Sequence, residues 1–147
     1  EQLARCCGEP LCAEGDEVFL FPTPEQLCGL TEAQLTGCGL GYRTRYIQHA
    51  AAQAAAHTLD LDALAVLPDN ALFSRLLTLD GVGKKVANCV CLFGYGRTAM
   101  APIDVWIQRL IDEEFGGRDP FPAYGQQAGI VQQYLFYYKR SISTQKK

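Results

Sequence analysis

The chain has 147 residues, 48% of them hydrophobic and 20% charged, with a formal net charge of −3. That is the size and composition of one globular domain, able to bury about two-thirds of its extended surface. No apolar run approaches the roughly 20 residues of a helical membrane span, and a generic DNA coat would be basic rather than acidic. Nothing at the N-terminus reads as a signal peptide. The opening Glu1 and the lone methionine, Met100, lead us to expect a piece of a longer protein.

Taken in chain order, the sequence predicts an almost wholly helical molecule. Glu1 to Cys7 reads as a helix end, stopped by Gly8 and Pro10. Residues 10–22 read as loop around an apolar Val18-Phe19-Leu20-Phe21. Pro22-Thr23-Pro24 opens a short helix to Leu30, and Thr31 is a good N-cap for a second, ending near Gly37. Gly39-Leu40-Gly41 is a turn, followed by an Ala-rich helix from Tyr42 to about His57. Leu59 to Leu67 is a short helix or turn. Asp69 or Asn70 caps a helix running to Thr78, Leu79–Gly83 makes a hairpin, and a helix follows from Lys84 to about Phe93, ended by Gly94-Tyr95-Gly96. Asp104 caps a helix from Val105 to Phe115. After a loop to Pro122, a last helix runs from Ala123 to about Lys139, leaving a polar, frayed tail from Ser141 to Lys147.

Seven cysteines, with Cys6 beside Cys7 and the others scattered, do not form a secreted disulfide framework, so reduced thiols are expected. Cys89-x-Cys91 falls in a helix, where positions two apart point to different faces. No second pair at ligand spacing follows, so neither a zinc site nor an iron–sulfur cluster is expected. The acids cluster at Glu14-Asp16-Glu17, Asp60-Asp62 and Asp112-Glu113-Glu114, whereas Arg43, Arg45, Lys84, Lys85, Arg97 and Arg109 lie near the motifs. An acidic molecule can therefore carry a local basic face.

The hairpin Leu79-Asp80-Gly81-Val82-Gly83-Lys84-Lys85 is the most informative segment. Gly81 and Gly83 permit a tight turn with positive φ, Val82 plugs the core, and the amides opening the next helix face outward and favour an anion such as a DNA phosphate. An ordinary helical hairpin with two glycines is the plainer reading. Lys85 at the helix start can act as a nucleophile only as the free amine, and an ordinary lysine, with a pKa of about 10.4, is neutral in roughly one copy per thousand near pH 7.4. The helix N-terminus, the Lys84 charge and an apolar pocket would favour the amine, whereas a nearby Asp104 would oppose it. Spacing leaves Lys85 open between a nucleophile and a phosphate contact, a role that suits Lys84 better. Cys89, four residues on, shares the face of Lys85.

Asp104 suits plain capping, and equally a fixed carboxylate that stabilises positive charge on a sugar or accepts a proton. Tyr42 and Arg43 sit at the mouth of a helix, where an aromatic could wedge into a base stack and an arginine reach an unpaired base edge; a solvated helix start is the alternative. Gln132 and Phe136 share a face of the last helix. They read first as a surface Gln beside a core Phe, and otherwise as a hydrogen-bonding and stacking pair for an extruded base. Trp106 reads as core, and His49 and His57 as exposed.

Together, Gly39–Tyr46, Leu79–Cys91, Pro102–Val105 and Gln132–Phe136 resemble the helix-hairpin-helix DNA glycosylase superfamily, and within it the bifunctional 8-oxoguanine DNA glycosylase/lyases of bacterial type. The resemblance implies an all-α helical bundle with the helix-hairpin-helix at about residues 70–93. It implies Lys85 as Schiff-base nucleophile and Asp104 as essential carboxylate. Cys89 and Phe136 would sandwich the flipped base, with Gln132 at its edge. Tyr42 would be the wedge and Arg43 the reader of the orphaned cytosine, while Gly81, Val82, Gly83 and Lys84 grip the backbone. The carbonyls of Leu77, Leu79 and Val82 would hold a cation bridging to a phosphate, and no other cofactor is implied. The partner would be double-stranded DNA carrying an oxidised purine, met by a monomer away from membranes, in the cytoplasm at the nucleoid or in a eukaryotic nucleus.

The chain departs from the family in several places. Trp106 stands where mammalian-type members have His, and Lys139 where they have Asp, which points to a variant pocket. We do not expect these 147 residues to include the family's N-terminal β-rich domain, with the Asn-containing segment that fills the hole left by the base and the carbonyl that tells oxoguanine from guanine. No endonuclease III-type four-cysteine cluster is present. A glycosylase of the same fold for another damaged base, and a non-catalytic helix-hairpin-helix DNA-binding module, are the rival readings.

Overall fold

The computed structural model describes residues 1–13 and 16–145. They fall into two compact units, Glu1–Leu64 and Ala65–Lys147. Both are built mainly of helices, as expected, with one small sheet.

In the first unit, α1 (Gln2–Cys7) leads into β1 (Pro10–Ala13) and β2 (Asp16–Phe19), an antiparallel pair with Leu11 opposite Val18. This pair corrects the expectation of loop over residues 10–22, whose Glu14 and Gly15 lie outside the described residues. Leu11 and Val18 are both exposed, so the strands bury no face and leave no apolar alternation to read. Two short helices follow, α2 (Pro24–Cys28) and α3 (Glu32–Gly37). Each starts on a reciprocal capping box: the Thr23 hydroxyl accepts from the Gln26 amide at 3.3 Å while the Gln26 side chain accepts from the Thr23 amide at 2.8 Å, and Thr31 and Gln34 repeat the device. The expected helix from Tyr42 opens instead as a 3-10 turn over Gly41–Arg43 before α4 (Thr44–Ala55). Leu3, Leu27, Leu35 and Ala51 form the core of this unit. His49 and His57 are exposed.

The second unit begins within α5 (Leu61–Ala65) and continues with α6 (Asp69–Leu76) and α7 (Lys84–Cys89), which ends in a π-helical turn over Val90–Gly94. Contrary to expectation, neither Asp69 nor Asn70 caps α6; Pro68 holds that position without a side-chain bond, and Asp69 pairs with Arg97 at 3.5 Å. Arg97 also donates to the carbonyls of Ala65 and Leu67 at 2.6 and 3.2 Å, satisfying acceptors left over where α5 ends. The last helices are α8 (Val105–Glu114) and α9 (Ala128–Gln145), the latter preceded by a 3-10 segment, Phe121–Gln127, kinked at Gly125. The expected last helix therefore starts five residues late and outlasts Lys139, while Lys146 and Lys147 of the expected frayed tail lie outside the described residues. Ile107, Ile111, Phe121 and Ala128 are the core here, with Leu135 and Phe136 packed on it. Trp106, expected in the core, is half-buried under the Arg109 guanidinium, 5.5 Å from its ring centroid.

Gly129 lets the start of α9 press against the loop leading to Asp104. Its amide donates to the Thr98 carbonyl at 2.8 Å. A Cβ there would lie 2.5 Å from the Met100 carbonyl oxygen and 2.8 Å from Leu92 Cδ1. Backbone cannot retreat as a side chain can, so Gly129→Ala is expected to destabilise the chain by about 3 kcal/mol. A thermal melt checks this; an unchanged midpoint would mean that the loop is free to move.

Candidate functional site

The second unit carries a cavity of about 130 Å³ lined by Lys85, Cys89, Phe93, Pro102, Asp104, Gln132, Gln133 and Phe136. A dry cavity of about 150 Å³ accepts one benzene ring; this one is slightly smaller, and because it is open to solvent a larger flat ring can enter without being enclosed. All five residues singled out from the sequence for catalysis and base contact are on its wall. Lys85 and Cys89 come from one face of α7, four residues apart, and Gln132 and Phe136 from one face of α9. Lys85 and Asp104 also line a shallower groove with Ile103, Val105 and Gln108.

Asp104 caps α8. Its Oδ1 accepts from the Trp106 and Ile107 amides at 3.0 and 2.9 Å, which fixes the carboxylate. Its other oxygen has no hydrogen-bond partner among the described residues. The group therefore caps with one oxygen and keeps the other for the cavity.

Gln132 reverses the plainer sequence reading. It is only 2% exposed, whereas Phe136 is half-buried on the cavity wall. Cys89 and Cys91 separate as helix geometry requires: Cys89 reaches the cavity and Cys91 is fully buried, its thiol pushed up first by burial and then by the Asp69 charge. Lys139, also buried, pairs with Glu113 and so fastens α9 to α8; it does not line the cavity.

Phe93, Pro102 and Gln133 were not assigned to the site from the sequence. Phe93 carries a legible signal, standing four residues past Cys89 and eight past Lys85 on the same helical stripe. Gln133 carries none.

The hairpin between α6 and α7 turns on Gly81, whose φ of 75° suits glycine. The Val82 amide donates to the Leu79 carbonyl at 3.1 Å, and Gly83, expected to share the positive φ, instead caps α7 in extended conformation with φ −88°. Val82 is half-buried, while Gly83, Lys84 and Lys85 are exposed. Of the three carbonyls expected to hold a cation, that of Leu79 accepts this bond and keeps a lone pair. Those of Leu77 and Val82 accept no backbone bond among the described residues. A set of neutral oxygens with free lone pairs fits a hard cation.

Tyr42 and Arg43 lie in the first unit and not on this cavity. Tyr42 is 69% exposed, with the Arg43 guanidinium 4.6 Å from its ring centroid and Tyr46 edge-on at 6.3 Å. An exposed aromatic held between two neighbours in this way is not a core residue.

A family model described as HhH-GPD superfamily base excision DNA repair protein matches residues 1–124. A probable N-glycosylase/DNA lyase of Methanothermobacter thermautotrophicus is 30% identical over 168 residues, which cover 95% of this chain and 54% of that protein. An N-glycosylase/DNA lyase of Saccharomyces cerevisiae is 35% identical over 113 residues, 69% of this chain and 30% of that protein. The 8-oxoguanine glycosylase/lyase of Clostridium acetobutylicum, solved with double-stranded DNA containing cytosine opposite 8-oxoG, has a TM-score of 0.88 at 28% identity, covering 97% of this chain and 52% of that one. The chain spans about half the length of the Methanothermobacter and Clostridium relatives. No helix among the described residues is long and apolar enough to cross a membrane. The resemblance read from the Gly39–Tyr46 and Leu79–Cys91 motifs is borne out: the chain belongs to the HhH-GPD superfamily of base excision DNA repair proteins.

Proposed function

We propose that this chain carries the catalytic site of a DNA glycosylase/lyase that extrudes 8-oxoguanine from duplex DNA, where it pairs with cytosine, and excises it. The observation that carries the reading is the convergence of one lysine amine, one carboxylate, a thiol, a buried amide and an aromatic ring on one cavity. The relatives named N-glycosylase/DNA lyase support it.

In this mechanism the base leaves the stack and enters between Cys89 and Phe136, with Gln132 at its edge. The neutral amine of Lys85 attacks C1′ as the bond from C1′ to the base nitrogen breaks, and the base departs with the bonding pair and gains a proton. The free oxygen of Asp104 stabilises the positive charge that develops on the sugar. Opening of the sugar ring gives a protonated Schiff base between Lys85 and C1′. Loss of a proton from C2′ then expels the 3′ phosphate by β-elimination. Tyr42 would fill the opened stack, with Arg43 at the orphaned cytosine. The hairpin would lie against the backbone, where a cation on the Leu77, Leu79 and Val82 carbonyls would neutralise a phosphate and so let an acidic chain hold DNA.

The test is borohydride reduction of the chain with a duplex holding 8-oxoguanine opposite each of the four bases in turn. A covalent adduct, strongest opposite cytosine, is the expected result. Salt-dependent binding without an adduct on any damaged base would favour a DNA-binding module instead; an adduct with a different lesion only would reassign the substrate.

A further inference from the structure

Three thiols meet in the first unit. Cys6 and Cys7 end α1, and Cys38 caps the C-terminus of α3. Cys7 and Cys38 pack against the same buried cluster, Leu3, Leu27, Leu35 and Ala51. The Cys38 thiol hydrogen-bonds the Cys6 thiol, and all three cysteines are free. They are not equivalent. Cys6 is exposed, whereas Cys7 and Cys38 are half-buried. Cys7 donates to the Leu3 carbonyl, one turn back on its own helix, at 3.6 Å. Burial first, and then the contact with Cys6, push the Cys38 thiol up. Of the possible bridges, Cys6 to Cys7 is ruled out by geometry. A disulfide spans Cα atoms about 4.4 to 6.8 Å apart, and adjacent residues are held at about 3.8 Å. With Cys7 turned to its own helix, the pair left in contact is Cys6 and Cys38.

We propose that Cys6 and Cys38 form an oxidation site, which a peroxide converts into a disulfide fastening α1 to the corner that leads into Tyr42. The exposed Cys6 meets the oxidant. Its thiolate attacks one peroxide oxygen, the O–O bond breaks, and the departing hydroxide takes the thiol proton as water, leaving a sulfenic acid. The Cys38 sulfur then attacks the Cys6 sulfur. The S–S bond forms, the S–O bond breaks, and hydroxide leaves with the Cys38 proton as a second water. Two thiols lose two electrons and the peroxide gains them. A small thiol reverses the bridge by exchange. Half-burial keeps Cys38 from the oxidant until a sulfenic acid forms beside it. The bridge closes a loop of roughly 30 residues that holds α2 and α3, and so restricts the unfolded chain. Gly39 and Gly41, with φ of 73° and 57°, follow Cys38 at once and let the turn absorb the shift from sulfur contact to sulfur bond. None of this depends on the reaction proposed for the second unit.

The test treats the reduced chain with hydrogen peroxide, alkylates the remaining thiols and cleaves after Arg, Lys and Glu. Mass spectrometry is expected to find peptide 6–14 joined to peptide 33–43, and dithiothreitol to part them. Alkylation of Cys38 is expected to fall about tenfold on oxidation. Peptide 6–14 also holds Cys7 and Cys12, so variants assign the bridge. Cys7→Ser and Cys12→Ser should keep the link, and Cys6→Ser, a change at an exposed position, should lose it. The thermal midpoint is expected to rise by about 10 °C on oxidation of the unsubstituted chain and of Cys7→Ser, and to stay put in Cys6→Ser. A link that survives Cys6→Ser, a Cys38 still fully alkylated after peroxide, or a bridge formed between chains and seen as a dimer on a non-reducing gel would each overturn the inference. A link without a rise in midpoint would mean a strained bridge captured from an opened chain, and would overturn it too. The borohydride test of the second unit is read separately, so either result can fail without the other.

Discussion

Replacing Lys85 with glutamine is expected to reduce borohydride trapping on a lesion duplex by about 10⁴-fold or more, because no other group on the cavity wall can form an imine. The rival role, a phosphate contact, predicts something different. A lysine that only meets phosphate can be replaced by arginine with little loss, since guanidinium binds phosphate at least as well. Lys85→Arg is therefore expected to keep duplex affinity and lose trapping as completely as Lys85→Gln. Lys84 supplies the control. It is exposed at the start of α7 and absent from the cavity, so Lys84→Gln is expected to weaken binding, lower the salt dependence by about one phosphate contact and preserve the adduct. An adduct that survives at residue 85 and vanishes at residue 84 would move the nucleophile by one position and dissolve the geometric case for the cavity.

Much of this site was legible because helical periodicity is a strong constraint. Lys85 with Cys89 and Gln132 with Phe136 each stand four residues apart, which fixes a shared face before any packing is known. The Thr31 cap and the glycine turn at Gly81 were equally local, each set by one side chain or one dihedral. What escaped depended on tertiary partners. Gln132 looked like a surface residue because glutamine usually is one; its burial follows from a cavity that α7, α8 and α9 make only together. Gln133 was invisible for the same reason, since adjacent positions on an isolated helix do not face one surface. Lys139 gave an ambiguous signal. Read against the family it suggested an altered pocket, but its buried amine belongs to Glu113, so the change there touches the α8–α9 contact rather than the wall of the cavity. The hairpin Pro10–Phe19 was missed because its strands are four residues long and its paired Leu11 and Val18 both face solvent.

Asp104 permits the sharpest separation of folding from chemistry, because its two oxygens have different tasks. Oδ1 satisfies the Trp106 and Ile107 amides, and the other oxygen is left to the cavity. Asparagine caps a helix about as well as aspartate, whereas alanine costs about 1 kcal/mol. Asp104→Asn should consequently melt within a degree or so of the unsubstituted chain, and Asp104→Ala about 3 °C lower. Catalysis should divide the variants differently. Neither carries the negative charge that a cationic sugar needs, so both are expected to excise and trap about 10²- to 10³-fold more slowly. Stability then tracks the cap while rate tracks the charge, and the two orders do not coincide. Single-turnover excision measured beside thermal unfolding tests this directly. If Asp104→Asn excised at the unsubstituted rate, the carboxylate would be a helix cap and nothing more, and the positive sugar would need another counter-charge from this wall, where the described residues offer none.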